Sequence, residues 1–281
     1  MSIVFLNGEF VPEERAVVSV FDRSFRYGDG LFEAALVVNG KIFRRDQHWQ
    51  RLEQSAKFFQ LKLPCSTDEM SIAAHELLKR NALREAVLRL QVSRGCGPRG
   101  YAPAGNEKPV VVMSAHPAPP RTQALWKLTV CPLRVASGDV LSQHKTCNRL
   151  LQVVAATHAH EHGADESLIV NTDGFINEGS TSNVFWVHDG MVCTPPIDLG
   201  VLPGVTRAVV RELCGELKIR FEERTIRPEE LPSCEGVFLS FTSRGIVEAG
   251  FLDGRPLKQS MVTGELRDAF NTLLARECPP D

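Results

Sequence analysis

An α+β fold with mostly antiparallel sheets is what this chain predicts, and three features of its sequence predict it. Asn-Gly and Asp-Gly pairs recur between apolar, strand-like runs, the strongest short-range hairpin signal. Helical periodicities are scattered among these hairpins rather than alternating strictly with strands, as a doubly wound parallel sheet requires. No G-x-G-x-x-G follows a strand and no G-x-x-x-x-G-K-[ST] occurs, so dinucleotide and P-loop folds lack their signatures.

The elements follow in order. "IVFLNGEFVPEE" places Asn7-Gly8 between two short strands, and "FEAALVVNGKIFRR" does the same around Asn39-Gly40. "DQHWQRLEQSAKFFQL" reads as a helix with Asp46 as N-cap, because Trp49, Leu52, Ala56 and Phe59 form one apolar stripe. "TDEMSIAAHELLKRNAL" is a second helix, with Thr67 as cap. The strands "EAVLRLQVSRG" and "KPVVVMSAHP" come next, joined by the Gly- and Pro-rich loop "RGCGPRGYAPAGNE". Such a loop, held by rigid strands, is a frequent carrier of function.

"HPAPPRTQ", residues 116–123, has three prolines and reads as an extended spacer. It divides the chain into a first domain, 1–115, and a second, 124–281. The second opens with the strand "WKLTVCPLRV" and continues through the helix "CNRLLQVVAATHAHEH", closed by Gly163. "ESLIVNTDGFINE" and "VFWVHDGMVCTPP" each read as two strands about an Asp-Gly turn. A turn and helix ("GVLPGVTRAVVRELCGEL"), a strand ("GVFLSFTS") and a terminal helix ("MVTGELRDAFNTLLAR") complete it.

Composition excludes several classes. The 281 residues hold 32 basic and 34 acidic side chains, a net charge of −2, so neither nucleic acid nor an anionic membrane is an expected partner. Apolar runs are too short for a membrane span. The N-terminus lacks a basic start and a continuous apolar core, so a signal peptide is not expected. The eight cysteines are dispersed, with no C-x-x-C. They point to reduced thiols, a cytoplasmic location and no metal site. Cys147 reads as a packing residue.

Three features carry chemistry. Lys145 precedes an apolar helix, whose positive dipole end would favour the neutral amine that Schiff-base chemistry needs; an exposed lysine near a helix start is the alternative. "LPGVTR" puts Gly204, Val205 and Thr206 at a helix start, where free N–H groups suit a phosphate; the alternative is a Pro-Gly turn capped by Thr206. "NEGSTSN" presents Glu178 among small residues that let a backbone approach a ligand closely; an ordinary polar turn is its alternative. An amine, an acid and a phosphate cradle are together the parts of a pyridoxal phosphate site, with the acid keeping the pyridine nitrogen protonated.

The blocks "DRSFRYGDGLFE", "HKTCNRLLQVVA", "GADESLIVNTDGFINEGSTSNVFWV" and "LPGVTRAVVREL" resemble the class IV aminotransferases. These are fold type IV pyridoxal phosphate enzymes, including branched-chain and D-amino-acid aminotransferases and aminodeoxychorismate lyase. The resemblance runs from the first hairpin to about residue 255. It implies a D-amino-acid aminotransferase-like fold of two α/β domains with the cofactor between them, and a homodimer with the active site at the subunit interface. By matching motifs it makes Lys145 the catalytic, imine-forming lysine and Glu178 the pyridine-nitrogen partner. It makes Arg51, Val205, Thr206 and Thr242 the remaining cofactor contacts. Phe32, Arg99, Tyr101 and Ser243 fall at substrate-binding positions, with Arg99 as the carboxylate clamp. The implied reaction is ping-pong transfer from an amino acid or primary amine to a keto acid.

Within the family the motifs divide. "SRGCGPRGY" and "KTCNRL" resemble aminodeoxychorismate lyases, which form 4-aminobenzoate and pyruvate for folate synthesis. Ala34 and Ala35 depart from the lyase pattern, and "RGIVEAG" departs from the branched-chain one. An aminotransferase is the reading adopted. The lyase is the alternative, and a non-catalytic cofactor-binding homologue is a minor third.

Overall fold

In the computed structural model, residues 2–105, 107–121 and 123–280 are described. Met1, Asn106 of the Gly- and Pro-rich loop, Thr122 of the expected spacer, and Asp281 lie outside the described residues. The chain forms two units. The first comprises 1–119, 145–149 and 276–281, and the second 120–144 and 150–275. The division falls between Pro119 and Pro120, inside the proline-rich stretch. The two returning pieces count with the first unit, although sequence order puts them with the second.

Hairpins build the first unit's sheet. β1 (Ile3–Leu6) and β2 (Glu9–Pro12) flank Asn7 at φ 50° and Gly8 at φ 97°. β3 (Gly30–Val38) and β4 (Lys41–Ile42) flank Asn39 at φ 52° and Gly40 at φ 77°. Two successive left-handed residues are what a tight hairpin needs. With β5 (Ala86–Ser93) and β6 (Val110–Pro117) the order is β2-β1-β6-β5-β3-β4, every ladder antiparallel. One sheet face packs on α2 (Arg45–Phe58) and α3 (Thr67–Arg80), where Leu31, Ala35, Val37, Leu88 and Leu90 join Trp49, Leu52, Met70 and Leu77 in one core.

The expected caps need correction. α2 starts on Arg44, at φ 52°, and Asp46 lies in its first turn. α3 is capped by Ser66, not Thr67: Ser66 Oγ accepts from Glu69 N at 3.2 Å and the Glu69 carboxylate from Ser66 N at 2.8 Å. This reciprocal box satisfies two otherwise orphaned N–H groups, which Thr67 cannot do from one position later.

In the second unit, β7 (Trp126–Val135), β8 (Glu166–Asn171), β9 (Ile176–Gly179), β10 (Asn183–His188), β11 (Met191–Thr194), β12 (Phe221–Glu223), β13 (Gly236–Phe241), β14 (Gly245–Leu252) and β15 (Arg255–Pro256) form one sheet. Its order is β12-β11-β10-β13-β14-β7-β8-β9, with β15 on β14. Three ladders are parallel: β11 with β12, and β7 with both β14 and β8. The helices are α4 (Leu150–Glu161), α5 (Val205–Glu216) and α6 (Met261–Glu277). α4 begins three residues later than "CNRLLQ" predicts, because Thr146 and Cys147 are engaged as extended backbone against the first unit's β3.

Candidate active site

In the first unit, the segment 145–149 makes a short antiparallel edge on β3. Leu31 and Thr146 bridge, Phe32 N donates to the Lys145 carbonyl at 2.9 Å, and Cys147 N donates to the Gly30 carbonyl at 2.8 Å. Lys145 is therefore set by sheet pairing. It sits well ahead of Leu150, so the expected influence of the helix dipole, confined to the first turn, does not apply. Its Nζ lies 4.7 Å from the centre of the Phe32 ring. The Arg89 and Arg149 guanidinium carbons lie 4.0 and 5.6 Å from the same centre. Arg149 Nε also donates to the Thr146 carbonyl at 3.0 Å. Cys147 is a free thiol, and burial pushes its pKa up, in keeping with a packing role.

Strand parity points Phe32 and Glu33 to opposite faces of β3, Glu33 toward α2. Glu33 is almost fully buried and takes both ends of Arg51: Nε to Oε1 at 2.8 Å and Nη2 to Oε2 at 2.6 Å. His48 Nδ1 reaches Oε2 at 2.9 Å. Burial alone would raise the Glu33 pKa. The Arg51 charge and the hydrogen bonds from Arg51 and His48 outweigh it and bring the pKa down to about 2. Burial lowers that of His48. Arg51 is thus a braced guanidinium with a partner that the motif comparison missed.

Arg99 and Tyr101 lie on an exposed loop, Tyr101 being 86% exposed. Arg23 of α1 (Arg23–Tyr27) anchors that loop. Its Nη1 donates to the Gly100 carbonyl at 3.1 Å, its Nη2 to the Tyr101 carbonyl at 2.6 Å, and its Nε to Asp29 at 2.7 Å. Tyr27 packs edge-on against Tyr101. The other substrate candidate in this unit, Phe32, is buried beside Lys145.

The second unit carries Glu178, the start of α5, and the β13–β14 turn. Glu178 is buried on β9, and its Oε2 accepts from Leu202 N at 3.1 Å. Asn177 Nδ2 donates to the Leu199 carbonyl at 2.9 Å and Asn183 Nδ2 to that of Leu202 at 3.0 Å. Three residues from β9 and β10 thereby pin the loop that leads into α5. The N-cap of α5 is Gly204, not Thr206, and no side chain caps the helix. A side chain at 204 is excluded, because a Cβ there would lie 2.0 Å from Asn183 Oδ1. Val205 and Thr206 open the helix, both buried. Thr242 and Ser243, half-buried, form the β13–β14 turn.

Residues 30–249 match the family model of amino-transferase class IV. The chain belongs to the class IV aminotransferases. A protein of Methanocaldococcus jannaschii, provisionally named a branched-chain-amino-acid aminotransferase, is 34% identical over 275 residues, 96% of either chain. The D-alanine aminotransferase of Staphylococcus haemolyticus is 32% identical over 279 residues, 96% of this chain and 97% of that one. The solved structure of the branched-chain amino acid aminotransferase from Escherichia coli has a TM-score of 0.90 at 29% identity, covering 98% of this aminotransferase and 95% of that chain. Among the described residues, no helix is long and apolar enough to cross a membrane, and no three His, Cys, Asp or Glu side chains group as metal ligands.

Motif comparison also passed over Arg89 and Glu166. Arg89 is a charged residue at alternate spacing within an apolar strand, a visible signal. Glu166 stands at the head of a fully buried strand, where an acid must find donors.

Proposed function

We propose that this aminotransferase uses pyridoxal phosphate, bonded to Lys145, to move an amino group from an amino acid or other primary amine to a keto acid in two half-reactions. The observation that carries the reading is the fixed amine: Lys145 is held by backbone pairing on β3, with its Nζ on the Phe32 ring beside two guanidinium groups. The donor set suits the cofactor. The first unit offers a primary amine, and the second a buried carboxylate and a helix start that no side chain caps, which favours a phosphate.

When bound, pyridoxal phosphate supplies an aldehyde for amine exchange and a ring that withdraws electrons from the substrate. With the cofactor bound, Lys145 Nζ would be the base that takes the substrate's α-proton and gives it back on the other side of the exchange. Glu178 would hold the proton on the ring nitrogen. As the family resemblance implies, the Val205 and Thr206 N–H groups and Thr242 of the second unit, and Arg51 of the first, would hold the phosphate. Phe32, Arg99, Tyr101 and Ser243 would meet the substrate, as the resemblance implies, and Arg89 and Arg149 would add positive charge for its carboxylate.

We further assign a homodimer and a cytoplasmic location. The first unit exposes Val17, Val18, Val20, Phe21 and Phe25 within nine residues, and α4 exposes Leu150, Val153 and Val154, apolar side chains that a partner subunit would cover. All eight cysteines are free thiols, which suits a reducing compartment.

The test is the absorption spectrum of the purified protein with pyridoxal phosphate, for wild type and Lys145→Ala, before and after D- and L-amino acids are added without a keto acid. A band that needs Lys145 and bleaches with one class of donor supports the proposal. A stable band with pyruvate released from aminodeoxychorismate would establish the lyase instead. A band with no turnover of any amine would mark a non-catalytic homologue, and no band would overturn the role of Lys145.

A further inference from the structure

The carboxylate of Glu166 stands at the start of β8, 2% exposed, and is met entirely by neutral donors. Its Oε1 accepts from Ser167 N at 2.9 Å, from Ser180 N at 3.0 Å and from Ser180 Oγ. Its Oε2 accepts from Thr181 N at 3.2 Å, Thr181 Oγ1 at 2.9 Å and Ser182 Oγ at 3.1 Å. An ionised carboxylate has about four lone-pair directions, so both oxygens are saturated.

Five of the six donors come from three consecutive residues, Ser180, Thr181 and Ser182. They form the turn that directly follows Glu178-Gly179. The backbone tightens the same turn, with Gly179 N donating to the Ser182 carbonyl at 2.7 Å and Ser180 N to the Ser167 carbonyl at 3.0 Å. Gly179 has no room for a side chain, since a Cβ would stand 2.2 Å from Ser182 Oγ and 3.1 Å from the Glu166 carboxyl carbon. The small polar residues after Glu178 therefore serve an internal anion. That use of "GSTS" differs from the close approach to a ligand that the sequence suggests.

Burying a charge without a cation is costly, and an apolar side chain would close the same strand start more cheaply. What a saturated buried carboxylate offers instead is a single rigid geometry. We propose that Glu166 is a positioning residue for Glu178: it locks the 180–182 turn so that the Glu178 carboxylate meets the cofactor's ring nitrogen in one fixed arrangement. This rests on the reading of Glu178 given above.

Two measurements on Glu166→Gln test it. The first needs no cofactor. Amide hydrogen exchange of the apoprotein is expected to rise in the 178–182 segment while β10 and β13 stay protected. Unchanged exchange in 178–182 overturns the proposal. The second is a cycle of Glu166→Gln, Glu178→Gln and the double variant, read by pyridoxal phosphate affinity and by the pH titration of the bound cofactor's absorption band. Glu166→Gln is expected to weaken affinity about tenfold, the lower end of the loss seen when the carboxylate supporting a metal ligand is removed. It should also shift the band titration in the wild-type background and not in the Glu178→Gln background. Equal effects in both backgrounds would show a merely structural role and overturn the proposal. Should Glu166→Gln not fold, Thr181→Val and Ser180→Ala each remove one donor and are held to the same pair of outcomes. A wild-type protein with no Lys145-dependent band defeats the cofactor reading; the exchange experiment then decides the role of Glu166 alone.

Discussion

Replacing Glu33 by Gln keeps the shape of a buried side chain and removes its charge. The Glu33 pKa falls from 4.5 to about 2 in the folded protein, so the fold favours the ionised form by about 3 kcal/mol. The neutral amide forfeits that, and it leaves the Arg51 guanidinium buried without its counter-charge, a defect that typically costs about 3–5 kcal/mol. Both routes give the same size. With a urea dependence of about 2 kcal/mol per molar, the unfolding midpoint should fall by roughly 1.5 M. Trp49 lies on α2 beside His48 and reports on the first unit by fluorescence. Because Arg51 is also assigned to the phosphate, Glu33→Gln should weaken pyridoxal phosphate binding as well. Glu33→Gln/Arg51→Met should lose less than the two single variants added together, since no charge is then left unpaired. A midpoint within about 0.3 M of wild type would refute the reasoning, because a paired buried carboxylate cannot be neutralised that cheaply.

Three further predictions follow from the same geometry. Stability should fall on acidification in two stages: His48 has a folded pKa below its ordinary 6.5, and Glu33 one below 4.5. Each contributes stability that is present above its unfolded value and lost as pH drops below it; flat stability from pH 7 to pH 3 in urea titrations would contradict both. Gly30→Ala would bring a Cβ within 2.8 Å of the Val92 carbonyl and 3.2 Å of Cys147 Sγ. We expect a cost of about 1–3 kcal/mol and poorer trapping of pyridoxal phosphate on Lys145 by borohydride, and unchanged trapping would refute the edge-pairing account. Arg23→Gln should release the 94–105 loop. Faster proteolytic nicking there and a raised KM with a smaller change in kcat are the expected results, whereas a loop equally resistant to protease would show that Arg23 does not anchor it.

Local chemistry was legible and distant pairing was not. Asn7-Gly8 and Asn39-Gly40 announce their hairpins, since those residues tolerate positive φ. Trp49, Leu52 and Ala56 announce α2, since their spacing matches a helix. The start of α3 went astray by one residue because Ser66 and Thr67 are both good caps and only the return bond from Glu69 separates them. The motif resemblance points to Lys145 but not to its setting: "KTCN" carries no strand pattern, and it is extended because β3 offers it free backbone groups. Glu33 did leave a trace. It shares strand parity with Leu31, Ala35 and Val37, which puts an acid on an inward face and demands a cation. The sequence does not say which cation, because Arg51 arrives from a separate helix.

The contribution of 145–149 to the first unit bears on how the protein is made. The β3 strand is synthesised more than a hundred residues before the segment that pairs with its outer edge. The last residues return as well, with Asn39 Nδ2 donating to the Cys278 carbonyl at 2.8 Å and Arg44 meeting Glu277 at 2.9 Å. A nascent chain that has just cleared Pro119 therefore carries a sheet with an unpaired edge beside Leu31 and Phe32. Such an edge invites pairing with other strands, and closing it must wait for a long-range contact. Lys145, the proposed imine lysine, reaches its setting only in the step that covers this edge, so a chain truncated before residue 145 would lose that amine and its protection against aggregation together.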